Sequence, residues 1–278
     1  MDISSEYSAN KKRTESFILY VLIAYTISWA IEIPLALKAK GIISTDIPFS
    51  IHYLAAFGPF IASLLLTWRD NRAYGLKELF QRTFKWRVHP LWWIVAISPI
   101  LLFFLVSLIL RIFQGSWISL SILGRFDFLP DLGVWVIFIW LATYGFGEEL
   151  GWRGYLLPRL QRNLSALSAT IILWIIWAIW HIPSFFYLHT ASSPGMVIGF
   201  LIGIFTGAVF LTWLYNSSGG SVLIVAVWHG LFDYVTACTE CKSGLVAALI
   251  STLIMIWAII VVFLYKGANL SHKVKHTL

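Results

Sequence analysis

Apolar residues in this chain come in long unbroken stretches, not in the short alternating runs of a water-soluble fold. A helix needs about 20 mostly apolar residues to cross the hydrocarbon layer. Stretches at about 16–37, 50–68, 90–112, 132–157, 166–187, 194–215, 220–237 and 244–265 meet that need, which predicts eight spans. The polar intervals are short, no repeat of fixed period is visible, and no polar block could fold alone. Residues 1–278 therefore read as a single, all-α integral membrane domain, with about eight transmembrane helices enclosing a polar intramembrane cavity. Pro34, Gly58-Pro59 and Pro99 fall inside spans and read as kinks. Between the second and third spans, residues 75–87 place Leu76, Leu79, Phe80 and Phe84 on one helical face, while Lys77, Arg82, Lys85 and Arg87 supply charge. An amphipathic helix lying along the membrane interface is expected there.

Composition strengthens the membrane reading. Of the 278 residues 59% are hydrophobic and only 12% charged, with a mean hydropathy of +0.81; too few polar residues exist to cover a soluble core of this size. The net charge of +7 is spread over the intervals between spans rather than gathered in one stripe, which suits anionic lipid headgroups and argues against nucleic acid. Fifteen of the 20 Lys and Arg fall on the side that holds both termini and five on the other, so the termini are expected to be cytoplasmic. The first apolar stretch is longer than a signal-peptide core and lacks a clear cleavage site, so a retained first span is expected. Cys238 and Cys241 are the only cysteines. One such pair supplies two of the four ligands of a structural zinc, so a loop pair or a facultative disulfide is expected.

An ionisable group at the centre of a membrane helix costs about 2.5–3.5 kcal/mol on insertion scales, so such groups mark sites or pathways. Glu32, Glu148, Glu149 and Asp233 lie within predicted spans, together with His181, His229 and the more interfacial His189. Glu32, two residues before Pro34, is read as structural. In Gly147-Glu148-Glu149-Leu150-Gly151-Trp152-Arg153, Glu149 and Arg153 are spaced i, i+4 and should pair, holding the helix. Glu148, without a helical partner, is then available as a general base. His181 follows Trp177 by one turn, and that ring is expected to fix the imidazole plane; His229 and Asp233 are also spaced i, i+4, so the carboxylate can reach the ring. Counted from the turn near Asn163–Ser165, Glu148 and His181 lie at similar depths, roughly 22–24 Å along their helices. His229 and Asp233, at roughly 14 and 20 Å along the seventh span, could share the same cavity.

Glu148-Glu149-x-x-x-Arg153, Trp177-x-x-x-His181 and His229-x-x-x-Asp233, in that order on three spans, resemble the CAAX protease and bacteriocin-processing family. This family, also called Abi, includes the type II CAAX prenyl endopeptidases. The resemblance is centred on residues 132–237, the motif-bearing core; the first three spans agree only in being apolar. It implies an eight-helix fold with a cavity open to the cytoplasm and a glutamate-dependent intramembrane endopeptidase. By position, Glu148 and His181 would activate a water, His229 and Asp233 would attend the developing oxyanion, and Glu149, Arg153 and Trp177 would support them. Trp177 stands where the family more commonly has Phe, a change expected to be minor. Asp233 stands where the prenyl endopeptidases have Asn, and is expected to support a protonated His229. The substrate would be a peptide or C-terminal segment of a membrane-associated protein. No cofactor is expected, although a zinc variant with Glu148, His181 and His229 as ligands stays open. So does a non-enzymatic membrane scaffold or bacteriocin-immunity protein that binds a partner in the same cavity. A proton-coupled transporter is disfavoured by the lack of an inverted repeat.

Overall fold

The computed structural model describes residues 3–115, 117–125, 132–188, 193–238, 241 and 244–278, with side chains from residue 14 onward. Among the described residues there are helices and no strands, as expected. Helix α1 spans Ile3–Ala39; a 3₁₀ turn, Phe49–Ala56, leads into α2, Phe57–Thr83. Helices α3 (Pro90–Ala96) and α4 (Ser98–Gln114) follow, bent by 52°. Next come α5 (Val136–Trp140), π-helical turns at Leu141–Glu148, α6 (Glu149–Gly151), further π-helical turns at Trp152–Leu156, and α7 (Leu157–Leu160). The chain ends with α8 (Ala166–Trp180), a 3₁₀ turn at Ile182–Phe186, α9 (Pro194–Ser217), α10 (Val222–Thr236) and α11 (Leu245–Asn269).

Five described stretches are long and apolar enough to cross a membrane, and six if α3 and α4 count as one bent span. The expected eight are not confirmed. One missing span is α10, whose 15 residues reach only about 22 Å, short of a hydrocarbon core about 30 Å thick. The other, 136–160, is broken into alternating α and π turns. Both carry candidate site residues. The distribution of polarity is that of a membrane protein: Leu22, Leu65, Ile112 and Phe263 are more than half exposed, whereas Glu32, Glu149, Arg153 and Asn216 are buried.

The proline positions resolve differently from a simple row of kinks. The bend between α3 and α4 falls at Ile97, and Pro99 sits in the first turn of α4, where its missing N–H costs nothing. Pro59 sits in the first turn of α2 and packs against Gly151 of α6, where a Cβ would lie 2.6 Å from the Pro59 carbonyl carbon and oxygen. The expected amphipathic helix is the distal limb of α2, set off by Arg72, a non-glycine residue with φ 52°. It ends at Thr83, and its faces divide: Leu79 is buried while Phe80 and Phe84 stay exposed. Arg82 donates to the Gly154 carbonyl at 2.9 Å, so the limb also docks on the site-bearing segment.

The ends of the helices near both termini are tied by a polar hub. Buried Asn216 exchanges hydrogen bonds with Gln161 (2.7 and 3.0 Å), donates to the Asn269 carbonyl (2.9 Å) and accepts from the His276 amide (3.2 Å). This uses both donors and both lone pairs of one amide and fastens the C-terminal segment. At the other end of α10, Cys238 and Cys241 form a disulfide, the facultative bond expected from their spacing.

Two outcomes follow. Gly151→Ala must push α6 off Pro59, and overpacking of that kind costs about 1–3 kcal/mol; a lowered unfolding midpoint in detergent checks it. Burial, with Arg82 and Lys85 nearby, lowers the His276 pKa from 6.5 to about 4. The docked tail therefore holds His276 neutral, and its stabilisation, complete above pH 6.5, is lost as the pH falls toward 4. Amide exchange of residues 270–278 should accelerate over that interval and not above it.

Candidate active site

The site is built on a stretch that does not wind regularly. Over Leu141–Glu148 and Trp152–Leu156 the helix widens to π turns, a geometry that recurs at functional positions because it re-aims side chains. Close packing holds it there: a Cβ on Gly145 would lie 2.7 Å from the Ala226 carbonyl oxygen of α10, so the two helices touch backbone to backbone.

Glu149 and Arg153 pair as expected, Oε1 to Nη1 at 2.7 Å, with both side chains wholly buried. The same Oε1 lies 2.8 Å from His229 Nδ1 on α10. On the other side of that ring, His229 Nε2 is 3.5 Å from Asp233 Oδ2, and Asp233 keeps 21% of its side chain exposed. The two i, i+4 pairs read from the sequence are thus one line, Arg153–Glu149–His229–Asp233. A carboxylate flanks each ring nitrogen, Glu149 at hydrogen-bond distance of Nδ1 and Asp233 at ion-pair distance of Nε2, an arrangement that suits the imidazolium form with an N–H on both.

Glu148 is also buried, and it is not without a helical partner. Trp152, four residues on, donates its indole N–H to Glu148 Oε2 at 3.2 Å, and Trp177 of α8 donates to the same oxygen at 2.8 Å. Both indoles bond the same oxygen, Oε2, so Oε1 is the oxygen they leave untouched. Trp152 was overlooked, although Glu148-x-x-x-Trp152 has the same spacing as Glu149-x-x-x-Arg153.

His181 caps the end of α8. Its Nδ1 lies 2.7 Å from the Trp177 carbonyl oxygen; a carbonyl only accepts, so Nδ1 carries the hydrogen and Nε2 is the acceptor nitrogen. Trp180 and Phe200 meet the ring edge to face at 4.8 and 5.3 Å. Trp177 therefore does more than orient the His181 plane. Its N–H holds Glu148, its carbonyl sets the His181 tautomer, its ring stands 5.7 Å from His229, and the Arg153 guanidinium lies 5.0 Å over it. A Phe at this position could reproduce the ring contacts but not the N–H, so the substitution by Trp is not minor.

His189 lies outside the described residues. Glu32 is not part of this group; it joins a neighbouring set with His52, Tyr144 and Tyr187, of which the sequence reading singled out only Glu32. No cluster of three His, Cys, Asp or Glu side chains that could hold a metal ion occurs among the described residues. Of the zinc candidates, Glu148 has two indoles on Oε2, and His229 has Glu149 on Nδ1. A cavity of about 1150 Å³, lined by Arg69, Arg82, Tyr155, Arg159 and Leu278 among others, opens at the end that holds the tail and reaches within two residues of Arg153.

Residues 130–235 match the family model for Rce1-like type II CAAX prenyl endopeptidases, a segment that contains all three motifs. The chain is also 27% identical over 237 residues to CAAX prenyl protease 2 of Methanococcus maripaludis, covering 82% of this chain and 84% of that protein. Both comparisons bear out the resemblance carried by the motifs. The second extends it well outside residues 132–237, to stretches where only shared apolarity was read from the sequence.

Trp177→Phe keeps the size and the ring contacts but removes the shorter of the two hydrogen bonds to Glu148. Losing a partner from a buried carboxylate costs about 1–3 kcal/mol. A fall of that size in unfolding free energy, with helicity unchanged, is the expected result.

Proposed function

We propose that this protein is an intramembrane endopeptidase that hydrolyses a peptide bond of a membrane-associated, lipidated protein by means of a water activated by Glu148 and His181. The observation that carries the reading is the state of Glu148: a buried carboxylate with one oxygen, Oε2, pinned by two indole N–H groups that leave the other untouched. The match of residues 130–235 to prenyl endopeptidases supports a protease. The name of the similar archaeal protein, CAAX prenyl protease 2, supports a prenylated C-terminal segment as substrate.

In this reading Glu148 Oε1 accepts a proton as the water oxygen attacks the carbonyl carbon, and His181 Nε2 orients that water. His229, held in its cationic form between Glu149 and Asp233, offers its Nε2–H, which Asp233 approaches only to 3.5 Å, to the oxygen that becomes the oxyanion. When the tetrahedral species collapses and the C–N bond breaks, the proton on Glu148 passes to the departing amine. Asp233 does not face the oxyanion as a donor; it maintains the charge on His229. The side holding both termini, with most of the Lys and Arg, faces the cytoplasm, where a lipidated C-terminus would arrive.

The test uses purified protein in lipid vesicles with an internally quenched peptide that ends in an S-farnesylated CAAX sequence. Glu148→Gln should lower turnover by about 10²–10⁴-fold, the usual worth of a general base, without moving the unfolding midpoint. Turnover within a few-fold of wild type rules the proposal out. Activity is expected to survive a chelator, because a His229 that carries both N–H groups between Glu149 and Asp233 has no lone pair to give a zinc.

A further inference from the structure

Four side chains outside the site form a second polar line beside it. Tyr187 OH lies 3.2 Å from Glu32 Oε1, His52 Nδ1 lies 2.6 Å from Tyr187 OH, and His52 Nε2 lies 3.1 Å from Tyr144 OH. They come from α1, the 3₁₀ turn before α2, the turn after α8, and the π-helical stretch four residues before Glu148. Glu32 is 1% exposed, and its Oε2 has no partner among the described residues. The frame around them is fixed: Ser28 Oγ donates to the Ala55 carbonyl at 2.7 Å, and the Trp29 indole donates to the Trp180 carbonyl at 3.0 Å.

Donor and acceptor chemistry gives this line two states. An ionised Glu32 only accepts, so Tyr187 donates to it, His52 donates through Nδ1 to the Tyr187 oxygen, and Tyr144 donates to His52 Nε2. Every hydrogen then points toward Glu32, and Tyr144 shows its neighbours only lone pairs. A protonated Glu32 can donate to Tyr187 and reverse each link, leaving the Tyr144 hydrogen directed out of the line. Passing from the second state to the first moves one proton along each link. The O–H of Glu32 breaks, Tyr187 and His52 each gain one hydrogen and lose one, and the Tyr144 hydrogen goes to a water in the site. Tyr144 lies within electrostatic range of both Glu148 and Asp233, and Glu32 within range of Glu148.

We propose that Glu32 is a positioning residue for the Glu148 site, acting through Tyr187 and His52 to set whether Tyr144 offers a hydrogen or a lone pair to water and substrate there. The proposal rests on the peptidase reading for what the site does. The titratable groups facing Glu32 are Tyr187, His52 from the 3₁₀ turn and Glu148 from the π-helical stretch; Tyr53 stands beside Tyr187, and Tyr144 and His181 beside His52. On α1 itself Lys38 is bound to Asp46 and the Ile47 carbonyl, and on α2 Arg69 and Asp70 sit at the far end beside Ser16.

The experiment compares wild type, Glu32→Gln, Tyr187→Phe and the double variant on the farnesylated quenched peptide across pH, with unfolding midpoints as the check on folding. Each single variant should lower kcat about 10-fold, at the small end of proton-transfer effects, with KM within about twofold and the pH profile displaced by about one unit or more. The double variant should fall no further than the lower single, since both cut one line. Lowered activity on an unmoved pH profile, or losses that multiply in the double variant, would mean a structural tie and overturn the proposal. A second measurement needs no substrate: the infrared band of the protonated Glu32 carboxyl, assigned by its loss in Glu32→Gln, should titrate at a different pH in Tyr187→Phe. An unmoved titration overturns the coupling. If wild type fails to cleave the peptide while the band shifts as expected, the peptidase reading fails and the coupled line stands.

Discussion

Hydrocarbon offers a buried ion nothing to bond, so a charged group placed there must find its partners within the protein. Glu149 and Arg153, both wholly buried, meet this demand first in each other. Breaking such a pair leaves an uncompensated charge at a cost of about 3–5 kcal/mol, much more than the intact pair contributes. The rest of the site is organised by that requirement. His229 of α10 approaches because Glu149 Oε1 can take a second hydrogen bond, and Trp177 of α8 approaches because the Arg153 guanidinium can lie over its ring. The polar residues of three segments are therefore the interior of the fold as well as its candidate site.

Much of this was legible along the chain because it depends on helical spacing. Glu149 with Arg153 and His229 with Asp233 are i, i+4 pairs, and both meet. The link that makes them one line, Glu149 to His229, joins residues 80 apart, and no periodicity announces it. The indoles on Glu148 were hidden for a different reason. Tryptophan in an apolar run reads as lipid-facing or core material, and its single N–H becomes informative only when a carboxylate lies opposite. His52 was missed in the same way, because it sits in a short 3₁₀ turn whose partners come from three other segments.

The count of eight spans is not confirmed because hydropathy records apolarity and not winding. Residues 132–157 are as apolar as a span, but the glycines among them admit α10 and α2 to the backbone, and the helix relaxes into π turns around the carboxylates. Short α10 is likewise hydrophobic enough to count, yet it is itself buried along most of its length and is followed by the disulfide of Cys238. A stretch that winds irregularly around buried ions looks, in one dimension, like an ordinary span.

Asp233 shows how a departure from the related pattern can be absorbed. An asparagine at this position could itself donate to an oxyanion through its amide, whereas an ionised aspartate can only accept. The structure puts Asp233 Oδ2 on the far nitrogen of a ring whose other nitrogen is already held by Glu149. A negative charge there acts on the oxyanion only through His229, where it favours the doubly protonated ring. On the proposed reading the donor lost with the amide is therefore replaced by greater charge on the donor that remains. The cost of a third carboxylate near Glu148 is limited because Asp233 is the one member of the line that retains appreciable exposure, so water can share its charge.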